Sequence, residues 1–175
     1  MTVDDDTTPH VRSIVVMGVA GSGKTTIARA LSTRLNFVFI DADWLHSAQN
    51  LEKMAAGQPL SDNDRNPWLH AVGEHIKNET QSHFGTVTAC SALKRAYRDV
   101  LRLYAPDAFF VALDGSLEVI RSRIEARPPE IVGEPLLASQ FADLEPLKSD
   151  ERGMHVDVQF IPEVIVNDVL AVVAP

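Results

Sequence analysis

Hydrophobic positions along this chain come in two textures that take turns. One is a short unbroken run rich in Val, Ile, Phe and Thr, closed by glycine or a polar residue: residues 11–17, 37–40, 86–90, 109–113 and 154–158. Runs of this length and composition predict strands buried on both faces, as in a parallel sheet. The other texture is a longer mixed segment with apolar residues at helical spacing: residues 24–35, 44–55, 67–83, 94–104, 116–126, 136–143 and 162–172. Gly57 and Pro59 stop the second of these helices, the polar turn at 61–65 and Pro67 open the third, and Gly85 ends it. Strands alternating with helices predict an α/β fold: a three-layer arrangement in which a parallel five-stranded sheet carries helices on both faces. Residues 127–135 hold three prolines and one glycine with no sustained period, so they read as a loop. No repeat or linker divides the remainder. Residues 11–175 are expected to form a single domain behind a short disordered leader, residues 1–10.

The first strand runs straight into Gly18-Val19-Ala20-Gly21-Ser22-Gly23-Lys24-Thr25, which satisfies G-x-x-x-x-G-K-[ST], the phosphate-cradling P-loop. Gly18, Gly21 and Gly23 let main-chain N–H groups approach phosphate oxygens, together with the backbone of Ala20, Ser22 and Thr26. Lys24 supplies a mobile point charge for the β- and γ-phosphates, and the Thr25 hydroxyl is a ligand for Mg²⁺. The following helix aims the positive end of its dipole at the same anion. In open α/β sheets ligands collect at the carboxyl ends of the strands, and Gly18, Asp41, Asp43, Ser91 and Asp114 all follow such ends. Asp41 and Asp43 lie 16 and 18 residues beyond Thr25, at the tip of a strand expected one place over from the P-loop. There one carboxylate suits the metal shell and the other suits accepting a proton from an attacking hydroxyl; both also suit capping the next helix.

Charge and cysteine content narrow the partners. A formal net charge of −8 disfavours non-specific attraction to nucleic acid or an anionic membrane surface, so an anionic substrate has to be held by local cations. The chain has 1 cysteine, Cys90, which excludes an intramolecular disulfide and fits a reducing cytoplasm; behind a strand it reads as a small packed residue. His70, His75 and His83 share a helix but lack a set of metal-ligand partners.

The ordered set of further motifs is more specific than the P-loop. After it come Asp41-Ala-Asp43-Trp-Leu-His46, Asn50-Leu-Glu-Lys-Met54, Gly57-Gln-Pro-Leu60, Asp62-Asn-Asp-Arg65 and Pro67-Trp-Leu69, then Cys90-Ser-Ala-Leu-Lys94, Tyr97-Arg-Asp99 and Leu136-Leu-Ala-Ser-Gln-Phe141. Together they resemble the small P-loop gluconokinases, relatives of shikimate kinase and the nucleoside-monophosphate kinases. The resemblance covers nearly everything after the leader. It implies a P-loop kinase fold with a lid over about residues 127–140, ATP and Mg²⁺ as cofactors, a homodimer, and transfer of phosphate from ATP to the 6-hydroxyl of D-gluconate.

It also implies roles. Asp43 resembles the residue that contacts and deprotonates the acceptor hydroxyl, and Asp41 its metal-side partner. Arg65 resembles the arginine that holds the substrate carboxylate; pairing with Asp62 or Asp64 on the surface is its alternative. His46 matches a position beside the acceptor pocket, or is simply structural. Lys94 and Arg98, four apart, reach toward gluconate or phosphate; a solvated helix face is the alternative for Arg98. Arg123 and Arg127, also four apart, resemble an arginine pair whose first member packs on adenine and whose second contacts the transferring phosphates from the lid. The chain departs from the family at Pro128-Pro129-Glu130-Ile131, where Lys-Gly-His and an aromatic are usual, and at Ala42, where glycine is usual. The altered lid keeps a kinase for another small hydroxy acid such as shikimate as the alternative, and a non-catalytic nucleotide-binding module stands beside it.

Overall fold

The computed structural model describes residues 11–126 and 134–173. The leader, the first half of the expected lid and Arg127 lie outside the described residues. Five strands form one parallel sheet: β1 (Ser13–Met17), β2 (Val38–Asp41), β3 (Thr86–Ala89), β4 (Phe109–Asp114) and β5 (Gly153–Asp157), in the order β2-β3-β1-β4-β5. The strand bearing the acidic pair therefore sits two places from β1, with β3 between them, and not one place over as the linear order suggested. Register fixes the depth: Ile40 faces Thr88 and Asp41 faces Ala89, while Val16 faces Ala89 on the other side. The tips of β1, β3 and β2 thus end level with each other.

Alternation along β1 explains the two apolar cores. Ile14 and Val16 join Ile27, Ala28 and Leu31 of α1 (Lys24–Leu35), Ile120 of α5 (Leu117–Glu125), Leu137 of α6 (Glu134–Asp143) and Ile165, Val166 and Val169 of α7 (Pro162–Val173). Val15 and Met17 point the other way, onto Trp68, Leu69, Val72 and Ile76 of α3 (Asp62–Ser82) and Tyr97 and Leu101 of α4 (Arg95–Arg102). This is the expected sheet with helices on both faces. Among the described residues no helix is long and apolar enough to cross a membrane.

Two helices differ from their expected bounds, for local reasons. The segment 44–55 is not one helix. A 3₁₀ turn, Ala42–Leu45, is opened by the Asp41 carboxylate accepting the Asp43 N–H at 3.2 Å. His46 and Ser47 are then extended, and Ser47 caps a separate helix α2 (Ala48–Ala55) by accepting the Asn50 N–H. Two side-chain caps in close succession outcompete a continuous helical ladder. The third helix starts five residues before Pro67, because Ser61 and Asp64 form a reciprocal capping box. Pro67 lies inside it, removing the N–H that would answer the Asn63 carbonyl.

Candidate active site

The P-loop links β1 to α1. Gly23 stands at the N-cap of α1 with φ 101°, a left-handed conformation that a side chain resists, and no side chain caps the helix. The first-turn amides therefore remain available to an anion. The buried Ser22 hydroxyl has no hydrogen-bond partner among the described residues. A cradle of open amides, an unanswered buried hydroxyl and a lysine fits a polyphosphate. The Lys24 ammonium donates to the Val19 carbonyl at 3.0 Å; burial lowers its pKa, while the Asp43 and Asp41 charges oppose that shift. The Gly18 amide donates to the Ser91 carbonyl at 3.2 Å and ties the P-loop to the turn after β3.

Beside it a pocket of about 120 Å³ is lined by Ala20, Lys24, Asp43, His46, Arg65 and Gln140, among others. Ala20, Lys24, Asp43, His46 and Arg65, all singled out in the sequence, thus meet here. The Asp43 side chain is 71% exposed. Its turn is held by the Trp68 indole, which donates to the Ala42 carbonyl at 2.8 Å. Ala42 is fully buried, so the alanine at this position is accommodated. Asp41, partly buried, has its pKa raised by desolvation, countered by the hydrogen bond from the Asp43 amide. A carboxylate here and the exposed Thr25 hydroxyl at the start of α1 are oxygens of the kind that could hold Mg²⁺. His46 stacks on Trp68, ring centroids 4.3 Å apart, and its Nε2 is 3.8 Å from the Asp43 carboxylate. Burial, then the Arg65 charge, depress its pKa to about 4, so the ring is neutral at physiological pH.

Arg65 is only 5% exposed, and its guanidinium donates from Nε to the Leu60 carbonyl at 3.2 Å. Both carboxylates that compete for it in the sequence are engaged elsewhere. Asp62 accepts from Lys94 and from the Tyr97 hydroxyl, and Asp64 accepts from Lys53 at 2.7 Å and from Ser61. Among the described residues no carboxylate lies within ion-pair distance of Arg65. A buried cation without a counter-ion, facing a pocket, is a site for an anion.

Two cations expected near substrate are placed differently. Lys94 bridges Asp62 at 2.9 Å and Asp143 at 3.3 Å and does not line the pocket. Arg98 is turned into the protein. It forms a fork on Glu151, 2.7 Å from Nε and 2.8 Å from Nη2, and donates to the carbonyls of Ala92, Leu93, Glu145 and Pro146. Helical spacing put Lys94 and Arg98 on one face, but Lys94 is the N-cap with extended backbone. The two side chains consequently diverge.

Arg123 lines a separate cleft of about 360 Å³ with Ser22, Thr26, Val158, Phe160 and Pro162, directly behind the P-loop helix. Its guanidinium donates to the Ser22 and Val158 carbonyls. A larger cleft of about 610 Å³ over the tips of β4 and β5 includes Val19 and Asp114 but not Lys24, Asp43 or Arg65. Asp114 there pairs with His155 at 2.7 Å, away from the acceptor pocket. Cys90 is buried and its thiol pKa is pushed up to about 12 by desolvation, so it stays protonated and inert. The sequence did not single out Gln140 as a site residue, although it lies four after Leu136 and both face the pocket.

The likeness to known proteins extends over most of the chain. A family profile described as an AAA domain matches residues 14–147. A gluconokinase of Gluconobacter oxydans is 40% identical over 159 residues, covering 91% of this chain and 89% of the relative. The crystal structure of a gluconokinase from Sinorhizobium meliloti superposes with a TM-score of 0.85 at 42% identity, over 93% of this chain and 91% of the other. An unliganded sugar kinase from Janibacter superposes with a TM-score of 0.88 at 43% identity, over 92% and 93% of the two chains. With a P-loop and an acidic pair at the strand tips and likeness to gluconokinases over about nine-tenths of its length, this chain belongs to the gluconokinase family.

Proposed function

We propose that this protein transfers the γ-phosphoryl group of ATP to the 6-hydroxyl of D-gluconate, giving 6-phospho-D-gluconate and ADP. The observation that carries the reading is the buried Arg65, without a carboxylate partner among the described residues, at a pocket that Lys24 and Asp43 also line. A linear hydroxy acid matches that polarity, with its carboxylate on the guanidinium and its far hydroxyl at the P-loop. Asp43 takes the proton of the 6-hydroxyl as the oxygen attacks the γ-phosphorus, and the bond to the β-phosphate oxygen breaks. Lys24 and the amides at the start of α1 hold the phosphates throughout, while the Ala20 amide, expected there from sequence, is taken by Gln140. Thr25 and Asp41 would hold Mg²⁺, which neutralises phosphate charge when bound. Neutral His46 offers a hydrogen bond at the wall of the acceptor pocket. Phe160, Pro162 and Arg123 form a cleft suited to the nucleobase, and Arg127, outside the described residues, keeps the phosphate contact that the family resemblance implies. A homodimer in the cytoplasm completes the reading, as in the family resemblance; its subunit number is read by size-exclusion chromatography with light scattering.

A coupled assay of ADP release across gluconate, other sugar acids and shikimate tests the assignment, with gluconate expected to give the highest kcat/KM. Preference for shikimate would overturn it. Arg65→Ala is expected to raise the gluconate KM by about 10- to 100-fold, the loss of one charge-assisted contact, with little change in the KM for ATP. An unchanged gluconate KM would move the carboxylate site elsewhere.

A further inference from the structure

Helix α6 is laid against the sheet by Leu137 and Phe141, which pack into the same core as α1. Leu136 and Gln140, one helical turn apart, face the acceptor pocket instead. The Gln140 Oε1 accepts the backbone N–H of Ala20 at 2.6 Å. That bond decides which way the amide is turned, because only the oxygen can answer an N–H donor. The Nε2 amino group is left as a donor with no partner among the described residues. Being tied to Ala20, it lies beside the P-loop in a pocket that Arg65 also lines.

We propose that Gln140 is an acceptor-binding residue: its carbonyl is anchored on the P-loop and its amino group donates to hydroxyl oxygen at the reacting end of the sugar acid. This deepens, and rests on, the assignment of gluconate as acceptor. Arg65 reads the acid and Gln140 reads the chain beside the phosphoryl donor, so the pocket is specified at both ends. The anchor carries a second consequence. A donor fixed to Ala20 keeps one position relative to the phosphates, which a freely rotating side chain does not.

Steady-state kinetics of the full chain with two variants test the proposal. Gln140→Leu removes both ends of the amide without adding charge and is expected to raise the gluconate KM about tenfold, the factor that one hydrogen bond of ~1.4 kcal/mol represents, with the ATP KM within about twofold. Gln140→Glu keeps an oxygen for the Ala20 amide but has no donor, and is expected not to restore the gluconate KM. Restoration by glutamate would make Gln140 only a strut between α6 and the P-loop, and would overturn the proposal. So would a loss in Gln140→Leu shared equally by ATP. A fall in the ATP KM with gluconate unaffected would show instead that the side chain competes with phosphate for the Ala20 amide, and would also overturn it. Melting curves confirm that each variant is folded; if Gln140→Leu is not, the glutamate variant decides alone by the same criterion. Absence of gluconate turnover by the unaltered protein removes the functional reading, whereas normal turnover with unaltered KM in the variants removes only the role of Gln140.

Discussion

Replacing Asp43 by asparagine is expected to lower the turnover of gluconate phosphorylation by about a hundred- to ten-thousandfold, the range seen for loss of a general base. The carboxamide keeps the size of the side chain and cannot accept the proton. Nucleotide binding is expected to survive, because the phosphates are held by the P-loop amides and by Lys24, which does not hydrogen-bond Asp43 but donates to the Val19 carbonyl. The 3₁₀ turn also survives, since it depends on the Asp43 backbone N–H and on the Trp68 indole, not on the Asp43 carboxylate. Turnover measured by coupled ADP release, beside a titration with a fluorescent ATP analogue, separates the two effects. Turnover like that of the unaltered protein would take Asp43 out of the chemistry and leave the proposed acceptor geometry without its centre.

The second large effect is on stability and comes from Arg98. Both Arg98 and Glu151 are 0% exposed in their side chains, and Arg102 also reaches Glu151. Removing the arginine takes two hydrogen bonds from the buried Glu151 carboxylate and a donor from each of four carbonyls at once. Arg98→Met is therefore expected to cost about 3–5 kcal/mol, or a fall in Tm of about 10 °C for a chain of this size. The double variant Arg98→Met with Glu151→Leu should lose less than the sum of the two single changes, because no charge is left alone. Additive losses would mean that the fork itself contributes little.

The same fork gives the protein an acid limit. Burial alone would raise the Glu151 pKa, but hydrogen bonds from Arg98, the Lys148 amide and Arg102 outweigh it and bring it down to about 2. A carboxylate held below its ordinary 4.5 gives stability that is complete above that value and is lost as the pH falls toward 2. Thermal melts between pH 6 and pH 2 should fall more steeply for the unaltered protein than for Glu151→Gln; parallel curves would refute the linkage.

Arg98 also marks where linear pattern stops informing on role. From sequence it is one of two cations at helical spacing behind a strand tip. In the fold it pins Ala92, held at φ 41°, and the segment that follows α6. It thereby secures the turn bearing Ser91, whose carbonyl receives the Gly18 amide. A residue expected at the substrate instead supports the loop beneath it. Nothing in the spacing separates those outcomes, because the deciding partner, Glu151, is 53 residues away.

Period and local chemistry were sufficient for the strands, for α1 to the residue, and for the phosphate loop, since buried strands, glycine conformation and a lysine at the start of a helix are properties of contiguous chain. The same local reasoning failed where two caps competed, splitting 44–55, and where a capping box overrode Pro67. Only tertiary structure decided strand order, the emptying of Arg65 of its surface partners, the inward turn of Arg98 and the seating of Gln140 on Ala20. Each of those depends on which of several available donors or acceptors, distant in sequence, is brought to about 3 Å, the separation at which hydrogen bonds are strongest.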